Sequence, residues 1–244
     1  MQFKNYCLVR NDRPHSIQGG RTAILYRNGL KATFINVEAT QKFEIIESSI
    51  VKINLSNNNI LLIVSFYANN SSKNTFIKES NILCDALKIN MSKTYYVIAG
   101  DFNARHKSWG DDTANPRGRH LHRWLQQYGT ENKCSHFAPE LPTYEKSYLD
   151  HCLADSRLEI CTVNNKLPVV NYDSDHDALH LNITLSTQDT NDPDPINAKK
   201  LFKKTNWKKF MIAAHNNYES SISSDKNLSN SDIDHCINNI NSHF

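Results

Sequence analysis

The 244 residues contain no C-x-x-C pair, no apolar run of membrane-spanning length and no internal repeat, and their net charge is only +3. Each absence removes a class of protein. Six scattered cysteines (Cys7, Cys84, Cys134, Cys152, Cys161, Cys236) give neither a zinc spacing nor a disulfide framework, so reduced thiols in an intracellular compartment are the simplest expectation. The eleven histidines do not fall at metal-ligand spacings. His120 and His122 sit on an expected amphipathic helix, with solvated side chains. Met1-Gln2-Phe3-Lys4 lacks the shape of a signal peptide, and no segment is apolar for long enough to span a bilayer, so no membrane partner is expected. The pI of about 8.4 is compatible with nucleic acid and equally with an ordinary soluble protein.

What is present suits a folded α/β domain with a tail. Hydrophobic residues make up 39% and charged residues 22%, enough for a core and too apolar for disorder. Tyr6 to Arg10 reads as a strand, and Thr22 to Tyr26 with Lys31 to Asn36 as a hairpin around Asn28-Gly29. Phe43 to Val51 alternates as an ordinary strand. Ile60 to Tyr67 and Tyr95 to Ala99 are unbroken apolar runs, the mark of buried strands. Ser71-Ser72 precedes Phe76, Ile77, Ile82, Leu83 and Leu87 at helical spacing, which suggests a capped helix. A second helix carries Leu121, Trp124, Leu125 and Tyr128 as its apolar stripe. Leu149 to Leu153, Leu158 to Val163 and Ala178 to Leu185 follow as strands. Beyond Leu185 the composition turns to a Pro193- and Pro195-containing linker and then a lysine-rich, aromatic helical segment around Trp207.

Polar residues collect at the ends of the apolar runs. Gly100 breaks the Tyr95 run and Asp101 and Asn103 follow at once, at the carboxyl end of a strand, where α/β folds commonly place their crevice. A carboxylate and an amide there suit a hard cation and a phosphate, although a plain Asp–Asn turn accounts for the same letters. Asp150 lies within a short apolar strand, where a carboxylate calls for a partner. His176 stands between Asp175 and Asp177, which favours a basic imidazole in one tautomer. Arg105, His106, Lys107, Arg117, Arg119 and Arg123 make the region after Asp101 basic, either as phosphate contacts or as a solvated face. Trp124 is expected in the core, and Trp109 beneath the loop that carries the polar residues.

Taken together, Gly100-Asp101-Phe102-Asn103-Ala104, Trp109-Gly110, Asn115, Gly118 and Leu121, with Asp150 and Asp175-His176, resemble the endonuclease/exonuclease/phosphatase superfamily. Within it they are similar to the endonucleases of jockey-like non-LTR retrotransposons. The resemblance runs from the start to Leu185. It implies a layered sandwich of two mixed β-sheets flanked by helices over residues 1–186, and a linker with a helical tail over 187–244 leading toward a reverse transcriptase. It implies hydrolysis of a DNA phosphodiester with magnesium or manganese, leaving a nick that primes reverse transcription, in the nucleus.

Roles carry over residue by residue. Asp101 orients or deprotonates water, Asn103 donates to the phosphate, His176 contacts the phosphate with Asp150 behind it, and Tyr67 donates from the other side. Thr143 and Ser174 bind phosphate oxygens and Asp175 assists the metal. The family's metal-binding Glu lies upstream of an Arg-Asp-Arg stretch, which here is Arg10 to Arg13, so that residue has no counterpart and the chain reads as an N-terminally truncated copy. Glu38, Glu44 and Glu47 are not assigned its role. A silent nucleic-acid-binding remnant and a phosphoesterase with another substrate are the alternatives.

Overall fold

The computed structural model describes residues 5–11, 22–71, 74–129, 131–171 and 174–184. The chain divides into two units, Met1–Asn171 with Asp175–Ser186, and Tyr172–Ser174 with Thr187–Phe244. Of the second unit only Ser174 is described, so the expected linker and helical tail lie outside the described residues.

In the first unit, β1 (Tyr6–Asn11) and β2 (Thr22–Arg27) pair antiparallel as a two-stranded sheet. The expected hairpin across Asn28-Gly29 does not form. Gly29, at φ 94°, turns the chain, but β3 (Ala32–Phe34) pairs with β4 (Ile46–Asn54), Phe34 opposite Val51. A turn signal sets where the chain bends, and the open edge of the larger sheet decides where the next strand docks.

β5 (Ile60–Ala68), α1 (Phe76–Leu87) and β6 (Thr94–Asp101) form a parallel crossover. α2 (Pro116–Tyr128), β7 (Cys134–Phe137) and β8 (Asp150–Asp155) follow. The mixed six-stranded sheet has the order β3-β4-β5-β6-β8-β7. The expected later strands shrink to β9 (Glu159–Ile160), β10 (Val169–Val170), β11 (Ala178–Leu179) and β12 (Ile183–Thr184), paired β9 with β12 and β10 with β11.

The central strands are apolar throughout because both faces are covered. Leu62, Val64, Phe66, Tyr96 and Ile98 pack toward Phe76 and Leu83 of α1 and Leu121 and Trp124 of α2. Leu61, Val97, Cys152 and Ala154 face the other way, against Leu158 and Leu167. Leu121 and Trp124 are buried as their spacing suggests.

The residue before α1 is Thr75, not Ser71 or Ser72, and its side chain makes no capping hydrogen bond. The Thr75 hydroxyl donates to Glu79 Oε1 at 2.7 Å. Glu79, 5% exposed, also accepts from the backbone N–H groups of Glu44, Ile45 and Ile46 at 2.9, 3.1 and 2.9 Å. These three donors lie at and just before the start of β4. A buried carboxylate with four donors is well satisfied, while the donors left behind by its removal are not. Glu79→Ala is expected to lower stability by about 3 kcal/mol or more and Glu79→Gln by less, read from urea unfolding followed by circular dichroism. Equal losses in the two variants would show that the carboxylate does not anchor β4.

Candidate active site

Strand register assembles the polar residues. Glu47 of β4 lies opposite Tyr67 of β5, Tyr67 opposite Asp101 of β6, and Asp101 opposite Asp150 of β8. Directly opposed residues share a face, so these four side chains form one row across the sheet, on the face away from the helices. The row lies at the carboxyl ends of the parallel β5 and β6.

Beyond Asp101 the chain makes a tight turn. Gly100 sits at φ 146°, and a Cβ there would stand 2.0 Å from the Phe66 carbonyl oxygen, so no other residue fits. Asn103 takes the left-handed conformation, φ 49°, which Asn tolerates at modest cost. Its N–H donates to Asp101 Oδ1 at 2.7 Å. Its side-chain Nδ2 donates to Asp101 Oδ2 at 3.1 Å and to the Ala68 carbonyl at 2.8 Å. Both amide hydrogens are thus directed into the chain. The expected donation from Asn103 to a phosphate is replaced, in this arrangement, by a clamp on Asp101.

The residues after the turn each hold it. Asn115 Nδ2 donates to the Asn103 carbonyl at 2.9 Å, while its Oδ1 accepts from Arg105 N–H at 3.1 Å and caps α2 through Gly118 N–H at 2.6 Å. Asn followed by Pro at a helix start was a legible signal for that cap. Gly118 leaves room for the Arg105 carbonyl, 1.8 Å from where a Cβ would stand. Trp109, 3% exposed, donates from its indole to the Ala104 carbonyl at 3.2 Å, as its expected place beneath the loop requires. Asp111 accepts from the N–H groups of His106 and Tyr148, both at 3.1 Å, tying the turn to the segment before β8.

Asp150 Oδ2 meets His176 Nδ1 at 2.8 Å, the pairing expected from sequence. Their side chains are 15% and 26% exposed. Thr143 is buried, 2% exposed. Its hydroxyl accepts from Asp150 N–H at 3.3 Å and its carbonyl from Asp177 N–H at 2.8 Å. As placed, it joins the start of β8 at Asp150 to the bend that carries His176, where the sequence suggested a phosphate contact. Asp175 is exposed, and Ser174 falls in the other unit.

Two expectations on the basic stretch change. Arg117, 8% exposed, is no surface phosphate contact. Its guanidinium lies over the Phe76 ring at 4.8 Å and donates through Nη2 to the carbonyls of Asn69 and Ser71 at 2.9 and 3.3 Å. His122, expected in solvent, is half-buried and stacks on His106 with centroids 4.2 Å apart. In both cases the helix turns further toward the loop than the apolar stripe alone indicates.

The electrostatics separate acid from base. Burial raises the Asp101 carboxyl to about 6, with Asp150 adding to the rise, while the Asn103 N–H, His176 and Arg117 oppose it. Burial alone would lower His176, but the hydrogen bond and charge of Asp150, then Asp101 and Asp175, outweigh it and hold the imidazole above its ordinary value.

The resemblance read from the sequence implies magnesium or manganese. Among the described residues no three ligating side chains converge. Both Asp101 oxygens accept from Asn103 and one Asp150 oxygen is paired with His176. The described residues therefore do not by themselves make a magnesium site.

Sequence reasoning missed Glu47 as a member of the row, because only strand register reveals it. It also missed His151, the neighbour of Asp150 on the opposite face.

Residues 61–180 match the model of a family described as endonuclease–reverse transcriptase. Among solved structures, the chain is similar to the endonuclease domain of TRAS1, a telomere-specific non-LTR retrotransposon, at 15% identity over 76% of this chain and 83% of that one, with TM-score 0.58. It is also similar to an endonuclease/exonuclease/phosphatase from Bacteroides vulgatus, at 11% identity over 75% of this chain and 77% of that one, with TM-score 0.50. No curated protein matches the sequence.

Two outcomes follow from the charges. A carboxyl raised to about 6 binds its proton more tightly folded than unfolded, so its favourable contribution is complete at low pH and lost as pH rises through that value. Measured in EDTA, the stability of Asp101→Asn relative to wild type is expected to increase by about 1–3 kcal/mol between pH 4 and pH 7.5. A difference that does not vary with pH would contradict the raised carboxyl. Replacing Asp150 by Asn is expected to lower the His176 titration, read from imidazole NMR resonances; an unmoved titration would show that Asp150 does not support the imidazolium.

Proposed function

From the premise that this chain has the endonuclease/exonuclease/phosphatase fold and matches an endonuclease–reverse transcriptase family over residues 61–180, we propose that it hydrolyses phosphodiester bonds in DNA. The observation that carries this reading is the 2.8 Å His176–Asp150 pair set beside Asp101 by direct strand pairing.

Each part then has a chemical task. With Nδ1 committed to Asp150, the imidazole addresses a phosphate through Nε2. In its protonated form it donates there and offsets the charge that builds as the phosphorus is attacked. Asp101, ionised above about 6, receives a proton from the attacking water as the water oxygen bonds to phosphorus; the P–O3′ bond breaks and the leaving 3′ oxygen takes up a proton from solvent. Asn103 fixes both carboxylate oxygens of that base, and Tyr67, one strand away, donates to the phosphate from the other side. DNA fits this reading better than a small phosphoester because the sequence match is to an endonuclease family.

The test incubates the full chain with supercoiled plasmid, with Mg²⁺ and separately with EDTA, beside bis- and mono-nitrophenyl phosphate. Nicking of the plasmid that falls about 100-fold or more in His176→Ala is expected. Turnover of the monoester without nicking would replace this reading with the phosphoesterase one. A folded chain inert on every substrate would indicate a silent remnant. The pH profile should rise near 6, as Asp101 ionises, and fall at higher pH as His176 loses its proton. Asp150→Asn should move the falling limb to lower pH.

A further inference from the structure

Alternation along β8 places Asp150 on the reactive face and its neighbour His151 on the other, where it is 0% exposed. His151 Nε2 lies 3.1 Å from the Ala104 carbonyl oxygen. The same oxygen accepts from the Trp109 indole at 3.2 Å, so both of its lone pairs are engaged inside the protein. The His151 ring packs edge-on against Trp109, centroids 4.9 Å apart, and against Phe102 at 5.8 Å. On its other side, His151 Nδ1 lies 3.2 Å from His136 Nε2.

These contacts decide the tautomer. A carbonyl only accepts, so His151 Nε2 must carry hydrogen. Burial drives the ring down to about 4, against the Ala104 and Tyr148 carbonyls and the charge of Asp150, so the ring is neutral and Nδ1 is bare. His136 Nε2 is then the donor to it. His136 too is kept neutral, by burial and by the neighbouring His151 and His122.

Ala104 follows Asn103, whose left-handed backbone (φ 49°) turns its N–H and side-chain amide onto Asp101. Asn115 holds the Asn103 carbonyl and the His151–Trp109 pair holds the next one. We propose that His151 is a positioning residue for the site. As an Nε2–H donor set by His136, it fixes the Ala104 carbonyl and so holds Asn103 on the Asp101 carboxylate. The description of the site as catalytic rests on the endonuclease reading; the geometry does not.

The test compares the intact wild-type chain with His151→Phe, which keeps the ring packing and removes the donor, and His151→Gln, whose side-chain N–H can reach the same carbonyl. Histidine ¹⁵N resonances of the wild type should show His151 as the Nε2–H tautomer. In His151→Phe, kcat for nicking should fall about 10–100-fold with KM changed less than about twofold. The backbone and side-chain amide resonances of Asn103 should shift. His151→Gln should restore most of both, which a purely structural role would not give. The Nδ1–H tautomer, or a folded His151→Phe with wild-type kcat and unmoved Asn103 resonances, overturns the proposal. A wild type that does not nick defeats the endonuclease reading alone, and the tautomer and the Asn103 resonances then decide this one. If His151→Phe does not fold, the tautomer and His151→Gln decide it.

Discussion

Pairing register across four strands is the constraint from which the site follows. Tyr67 faces Asp101 and Asp101 faces Asp150, with Glu47 continuing the line. Because side chains alternate, a slip of one residue between β5 and β6 would turn Asp101 into the helix-facing core and bring Gly100 to the reactive face. The apolar runs prevent that slip. Val64, Phe66 and Ile98 are at most 4% exposed, and displacing them would expose a comparable area while burying a carboxylate. The core thus selects the register, and the register places the chemistry.

Backbone next to the reactive row is held by buried polar side chains from other elements. Glu79 takes the N–H groups just before Glu47. Arg117 takes carbonyls just after Tyr67 and Ala68. His151 takes the carbonyl just after Asn103. Strand ends and turns leave backbone donors and acceptors without ladder partners, and at the rim of a buried sheet water is not there to satisfy them. Side chains that supply the missing partner also restrict the loop. The same interaction removes an electrostatic cost and restricts the backbone beside the row.

Much of this was legible in the sequence, and the part that was not has a definite cause. Asp101, Asn103, Asp150 and His176 stand in the motifs that carry the resemblance, so they could be named without coordinates, and the Asp150–His176 pairing is found. The buried strands followed from unbroken apolarity. Pairing partners did not follow: Asn28-Gly29 gave a turn, but β2 went to β1 and β3 to β4. Glu47 looked like any alternating strand residue, since its significance depends on the strand opposite. Arg117 and His122 were read as surface because charged and basic types usually are. Only the Phe76 ring and two carbonyls on the first, and His106 on the second, give them an interior place. Thr143 and the Asn103 amide kept their expected neighbourhoods but turned their hydrogen bonds inward.

The same histidine type is driven in opposite directions within one site, and the difference lies in what each ring touches. His151 is wholly enclosed among Phe102, Trp109 and His136, and a neutral carbonyl is too weak a partner to offset the cost of a buried charge, so the ring stays neutral and serves as a fixed donor. His176 keeps a quarter of its side-chain surface in solvent, 26%, and meets a carboxylate, so charge is favoured there despite partial burial. Asp101 completes the pattern: its neighbours supply hydrogen bonds rather than a close cation, and burial prevails, raising it to about 6. At neutral pH this arrangement keeps an ionised carboxylate at the end of β6 beside an imidazole inclined to hold its proton. Neither state would be selected by solvent exposure alone. Burial without a close counter-charge raises Asp101, and a close counter-charge raises His176 in spite of burial.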